Sequence, residues 1–381
     1  MQKHVPELDG LRGIAALMVV LFHAQTILAP ASWSTAAVRW SRAGWLGVDL
    51  FFALSGYLIT RGLLASRSQS RYFARFYGRR VLRIFPLYYL HLGALAVVGR
   101  FLPTRFYDPA PGDLALAALY FGNLPDAMGR FPGMCLSPLW SLAVEEWFYL
   151  LWPALLWRRS VPRMLAVCAG VFALAVVARW ASEATLAPHA AHILTPCRLD
   201  GLAAGAVVSL VAHVRGDAAV ASWCRARSVL AAIALAVVGL TPFGPRAFQY
   251  VYPSDAFQLV GHSVTGIASA VLVGAAGYGA SPTPWLRARW LVHVGAVSYG
   301  VYLLHAVTGA LVVTLAPAVT RLPLEVGAVL LAGATVLVAT VVHHVVERPV
   351  LALRSRLPWE RQSTSTQPAA ARSAGASAGA L

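Results

Sequence analysis

The sequence predicts an all-α polytopic integral membrane bundle of about ten transmembrane helices with both termini cytoplasmic, and three observations carry that prediction. The 381-residue chain is 58% hydrophobic and only 12% charged, with a mean hydropathy of +0.64. Its apolar residues fall into runs near 20 residues, each enough helix to cross about 30 Å of hydrocarbon. The 31 basic residues outnumber 15 acidic ones, and the arginines gather in the connections between runs. This excludes a water-soluble enzyme on a small anchor. No nucleic-acid partner is expected, because basic residues in short loops between spans act as topology signals.

In chain order the expected spans are about 12–29, 45–65, 82–101, 139–157, 163–181, 199–214, 228–243, 256–279, 291–315 and 324–346. The first follows Glu7, Asp9 and Arg12, and Ala29-Pro30-Ala31 faintly resembles a signal-peptidase site. Acidic residues are foreign to a signal n-region and the run is long, so a retained first span is expected. Between the second and third spans Arg67, Arg71, Arg75, Arg79 and Arg83 recur every fourth residue beside Tyr72, Phe73, Phe76 and Tyr77. That pattern fits an interfacial amphipathic helix or a solvated positive-inside loop. The apolar piece Asp113 to Leu124 is too short to cross. Reading it as re-entrant or interfacial puts Arg67 to Arg80, Arg158 to Arg163, Arg215 to Arg227, Arg287 to Arg289 and Arg348 to Arg361 on one side, the cytoplasm. Residues 1–356 form one domain, and the Ser-, Ala- and Gly-rich stretch 357–381 is expected to be a disordered cytoplasmic tail. Cys135, Cys168, Cys197 and Cys224 lack the spacing of a zinc or redox motif, so no metal is expected. Cys135 and Cys197 fall on the oxidising side, where a disulfide is permitted.

Charge inside hydrocarbon costs at least about 2.5 kcal/mol, so ionisable residues within spans mark protein interiors and functional sites. Here they are His23, Asp49, Glu145, Glu146, Arg198, Asp200 and His305. The expected topology places His23, Asp49, both glutamates, Asp200 and His305 between the bilayer centre and the outer surface, where they could share one cavity. Arg12 and His23, eleven residues apart, project from nearly one helix face about 16 Å apart. A neutral imidazole at His23 can act as general base, oriented by Asp49, Glu145 or Glu146. The adjacent Glu145 and Glu146 point about 100° apart, so they cannot face one bond as an acid/base pair, and one of them is expected to pair with arginine or histidine. Ser298, Tyr302 and His305 share a polar face of the ninth span. His305 is expected to lie off the track from Arg12 to His23.

At these residues the chain resembles the membrane-bound acyltransferase-3 family, bacterial O-acyltransferases of sugars and related acceptors. The matching pieces run from Glu7-Leu8-Asp9-Gly10-Leu11-Arg12-Gly13 to His23, then Gly47-Val48-Asp49-Leu50-Phe51-Phe52 and Arg79-Arg80-Val81-Leu82-Arg83. They continue through Trp140-Ser141-Leu142-Ala143-Val144-Glu145-Glu146, Arg198-Leu199-Asp200-Gly201, Ser298-Tyr299-Gly300-Val301-Tyr302-Leu303-Leu304-His305 and Val346-Glu347-Arg348-Pro349. Together they cover about residues 5 to 350. Trp147 stands where the family commonly has glutamine.

The resemblance implies a catalytic group of His23, Arg12, Glu145 and Glu146. It also implies that Arg79, Arg80 and Arg83 hold the phosphates of an acyl-CoA donor, with acetyl-CoA the first candidate and no tightly bound cofactor. Asp49, Trp140, Asp200, Ser298, Tyr299 and His305 would line the substrate cavity. The expected acceptor is a hydroxyl of a carbohydrate, as in polysaccharide modification, or of a glycosylated macrolide-type metabolite, and both direct transfer and an acyl-histidine remain open. Arginine in place of lysine and abundant alanine suit a GC-rich bacterial genome, so the expected location is a bacterial inner membrane, in contact with lipid. A proton-coupled transporter or flippase of sugar-linked lipids would also need intramembrane His, Glu and Asp, but not an arginine cluster in register with His23.

Overall fold

A computed structural model describes residues 4–28, 41–186, 190–240, 257–278 and 284–357 of the chain. Residues 358–381 of the expected tail, and Ala29-Pro30-Ala31, lie outside them. The described residues are helices and turns, without strands. In chain order they are α1 (Pro6–Leu28), α2 (Leu46–Ser66), α3 (Tyr72–Val98), α4 (Asp113–Ala118), α5 (Leu124–Ala127), α6 (Trp140–Leu156), α7 (Val161–Thr185) and α8 (Ala190–Ile193). They continue with α9 (Thr195–Arg215), α10 (Asp217–Leu240), α11 (His262–Gly277), α12 (Arg289–Ala296), α13 (Ser298–Leu315), α14 (Leu324–Val342) and α15 (Arg348–Ala352).

Among the described residues, nine helical segments are long and apolar enough to cross a membrane. The tenth expected span is α6, which at 17 residues is only about 25 Å long. It runs against α3: the Tyr72 hydroxyl donates to the Pro153 carbonyl (3.4 Å) and that of Tyr77 to Leu150 (2.7 Å). The Asp113-to-Leu124 piece does not span; α4 has six residues and packs back on α3, whose Tyr88 and Tyr89 hydroxyls donate to the carbonyls of Ala117 and Ala118.

Two basic stretches outside the expected spans are helical. The arginine-rich stretch before the third span is the opening of α3, one continuous 27-residue helix begun after Arg71 at φ 59°. Likewise α10 starts at Asp217, leaving Gly216 alone as the turn between α9 and α10, at φ 87° and ψ 150°, which L side chains rarely adopt. Arginine is a good helix former, so a basic run at the membrane border continues a helix as readily as it ends one.

α1 is the hub, packed on α2, α12, α13 and α14, while α9 packs on α2, α7 and α11. With lipid outside there is no hydrophobic drive to bring helices together, so tight backbone approach carries much of the packing. Between α2 and α9 it is extreme: a Cβ on Gly56 would stand 1.8 Å from the Leu202 carbonyl oxygen, and one on Gly205 2.0 Å from that of Ala53. The basic connections meet at one end of the bundle, where Arg61 pairs with Asp217 at 3.2 Å and Arg287 with Glu7 at 2.5 Å.

Candidate active site

A cleft of about 840 Å³ empty volume opens between α1, α2, α3, α6 and α13. Arg12, Arg80, Arg83, Glu145, Glu146, Ser298 and Tyr299 line it, together with Ser55, Ser141, Tyr149 and Tyr302. Arg12 is steadied by Asp9 one turn earlier, Nη1 to Oδ1 at 3.0 Å. Arg80 lies 4.5 Å above the Tyr149 ring centroid. Arg79 is exposed and outside the lining. The reason is angular: Arg80 and Arg83 are about 60° apart around α3, whereas Arg79 is turned about 100° away from Arg80.

Both glutamates border the cleft even though they are adjacent. Glu145 Oε1 accepts from Ser55 Oγ at 2.6 Å, and the Tyr149 hydroxyl donates to that same Ser55 oxygen at 2.9 Å. Contrary to expectation, neither glutamate forms an ion pair within 4.0 Å among the described residues. Trp147, in the position where glutamine is common, donates its Nε1–H to the Tyr120 carbonyl at 3.0 Å and so ties α6 to the segment after α4. At the inner end of the cleft Tyr302 donates to the Pro138 carbonyl (2.8 Å) and receives from Ser141 (2.5 Å). Tyr299 donates to the Ile84 carbonyl at 3.0 Å, bracing α13 on α3.

His23 lies beyond Tyr302, and its partner is His305. His305 Nε2 is 3.2 Å from His23 Nδ1, with ring centroids 4.8 Å apart. His305 therefore lies on the Arg12-to-His23 track, not off it. His23 makes no hydrogen bond to Asp49, Glu145 or Glu146, so a carboxylate does not orient it. The tautomers follow from the carbonyls. His305 Nδ1 is 2.5 Å from the Tyr302 carbonyl and His23 Nδ1 is 3.0 Å from that of Val19, so each Nδ1 carries the proton. His305 Nε2 is then a lone-pair acceptor for His23 Nδ1–H, and His23 Nε2 is left as the basic nitrogen. Protonation at that Nε2 would create an imidazolium whose Nδ1–H already points at an acceptor.

The remaining intramembrane charges do not share the cleft. Asp49 accepts from Arg198 Nη2 at 2.5 Å, and Arg198 Nη1 meets His262 Nδ1. Asp200 accepts from Arg179 Nη1 at 2.9 Å and from Ser263 at 2.5 Å. Trp140 packs here, with its ring 5.0 Å from His192 and 5.7 Å from the Arg198 guanidinium. All four ionic side chains are at most 2% exposed. Sequence reasoning passed over Arg179 and His262, although an arginine inside the apolar helix α7 is a visible signal. It also missed Ser55 and Tyr149, whose relation to Glu145 is purely tertiary. Cys135, Cys168, Cys197 and Cys224 are all free and buried, so the permitted disulfide is not formed.

The chain is 33% identical over 190 residues to the peptidoglycan O-acetyltransferase of Listeria monocytogenes, covering 46% of this chain and 29% of the relative. It is 32% identical over 163 residues to a Bacillus subtilis protein named provisionally as a peptidoglycan O-acetyltransferase, covering 40% and 24%. These matches span less than a third of the relatives' length. No solved structure matches. The family described as an acyltransferase domain, by contrast, matches residues 5–344. That interval holds every helix lining the cleft and both histidines beyond it, and on this ground the chain belongs to the acyltransferase-3 family.

Proposed function

We propose that the chain is a membrane O-acyltransferase that moves an acyl group, acetyl by the names of its relatives, from cytoplasmic acyl-CoA to a hydroxyl of a carbohydrate such as a cell-wall glycan. The observation that carries this reading is a cleft walled by Arg12, Arg80 and Arg83 and by Tyr302, whose ring lies 5.8 Å from that of His305, the partner of His23. By the positive-inside rule the arginine end faces the cytoplasm. The arginines suit the phosphates of CoA, the cleft suits the slender pantetheine arm, and the thioester is delivered toward His23.

His23 Nε2 takes the acceptor's hydroxyl proton as that oxygen attacks the thioester carbonyl. The C–S bond breaks, the CoA thiolate leaves, and the imidazolium returns its proton to sulfur, so ester and free thiol are the products. His305 accepts the hydrogen bond from the transient imidazolium and is a positioning residue. Glu145, held by Ser55, and Glu146 set the negative side of the cleft.

The test is purified protein in lipid nanodiscs with acetyl-CoA labelled in the acetyl group and a panel of glycan oligomers. Release of free CoA together with labelled ester on glycan is expected. Transport of a sugar-linked lipid without thioester turnover would replace this reading with that of a transporter.

A further inference from the structure

A second cavity, unrelated to the cleft, lies on the opposite face of α9 from α2. It is a groove of about 1590 Å³ empty volume, with Leu165 and Phe172 of α7 on one wall and Val220 and Trp223 of α10 on the other. Its floor is α9 and α11, and the small side chains Ala204 and Ala270 leave it deep. The apolar lining runs along α9 from Ala204 to Arg215, eleven residues or about 16 Å. That is close to half of the roughly 30 Å hydrocarbon core, the depth of one leaflet.

The two ends of the groove are built differently. One turn of α9 beyond its Ala204 end, Arg179 crosses from α7 to the Asp200 carboxylate and Cys197 carbonyl of α9 (2.9 and 2.5 Å) and to Ser263 just inside α11 (2.8 Å). At the other end Arg215, the last residue of α9, is exposed and makes no ion pair or hydrogen bond among the described residues. The nearby acid Asp217 is taken by Arg61 at 3.2 Å. Trp223, midway along the α10 wall, carries the Arg227 guanidinium 4.4 Å from its ring centroid. A chain one leaflet long under an anionic headgroup fits this length and the unpaired Arg215 at its end.

We propose that this groove is a binding site for one anionic glycerophospholipid of the arginine-side leaflet, its acyl chain laid along Ala204 to Val211 and its phosphate held by Arg215. The site goes beyond the acyl-transfer reading and does not depend on it.

Native mass spectrometry of the full chain, titrated with phosphatidylglycerol or phosphatidylcholine of equal chain length, tests the assignment. One phosphatidylglycerol should persist at collision energies that strip the rest. Arg215→Glu should weaken it about tenfold while leaving phosphatidylcholine unchanged, and Arg215→Lys should restore it. Ala219→Trp, which fills the groove from its exposed rim, should abolish the retained lipid, with unfolding temperature reported for each variant as a check on folding. Equal retention of the two lipids by the wild type, or unchanged phosphatidylglycerol retention in both Arg215→Glu and Ala219→Trp, would mean annular lipid only and overturn the proposal. Cross-linking of a cysteine at position 219 to a second protein chain would overturn it as well.

Discussion

Arg80 and Arg179 are the same side chain set inside the same bundle, and they are treated in opposite ways. Arg179 is 0% exposed and spends its donors on four hydrogen bonds: the Leu259 and Cys197 carbonyls, Asp200 and Ser263. Arg80 stands over aromatic rings at the wall of an open cleft, with no carboxylate within ion-pair distance among the described residues. The carboxylates divide likewise: Asp49 and Asp200 are each locked to a guanidinium, whereas Glu145 and Glu146 have none. Saturated charges hold helices together and have nothing left for a ligand. Unsaturated charges facing a cavity are the ones available for chemistry.

Breaking a saturated pair should cost the fold. Asp200→Leu strands Arg179 in the interior, and removal of one buried partner costs about 3–5 kcal/mol. Thermal unfolding in detergent should show a large fall, and the double variant Arg179→Leu/Asp200→Leu should recover much of it. A stable, inactive Asp200→Leu protein would move this pair to the chemical side of the comparison.

Breaking the open set should spare the fold and stop the reaction. His23→Gln should lower transfer by about 10²- to 10⁴-fold with an unchanged unfolding temperature, because an amide cannot take the proton. His305→Ala should act through His23, lowering kcat by about 10- to 100-fold, the worth of a hydrogen bond to a charged group, with both KM values kept. A matching rise in KM would make His305 a wall of the acceptor site.

Smaller effects separate neighbouring arginines. Arg80→Ala and Arg83→Ala should each raise the acyl-CoA KM by about tenfold, since they would hold phosphates whose charge does not change in the reaction. Arg79→Ala should change it by less than about twofold. Equal effects of all three would show that the basic stretch acts as a diffuse field rather than as a lining.

The smallest effect lies outside the membrane helices. Arg130 grips Asp113 with two hydrogen bonds of 2.5 and 2.6 Å, and chiefly these hold the Asp113 carboxyl below its ordinary value. A lowered value in the folded state means that the stabilisation is complete above the unfolded value of about 3.9 and is lost as pH falls through the folded one. Hydrogen-exchange protection of residues 102–139, measured relative to the intrinsic rate at each pH, should fall on acidification below about pH 4, and Arg130→Ala should flatten that dependence.

The helical spans and the alignment of Arg12 with His23 were legible because both depend on local rise and angle. The contrast between Arg79 and Arg80 was legible only in principle, since it needs the orientation of α3 as well as its periodicity. The His23–His305 contact joins residues 282 apart, and the Asp49–Arg198 pair residues 149 apart. Such pairings come from helix packing, which no window of sequence contains. The cleft's polar residues were mostly named in advance. The sorting of the remaining charges into a sealed network was not, because a lone Asp reads the same whether its partner is a ligand or an arginine seven helices away, as Arg198 is from Asp49.

The length of α3 carries a last consequence. Its 27 residues extend about 40 Å, well beyond a hydrocarbon core of about 30 Å. A rod longer than its slab must tilt or project, and the two responses trade against each other as the slab thickens. Arg80 and Arg83 are fixed to that rod, so their depth below the headgroups is set by the host bilayer as well as by the protein. On the donor role proposed for these arginines, acyl-chain length of the surrounding lipid becomes a dial on donor affinity, turned by the cell's fatty-acid composition without any change in the protein.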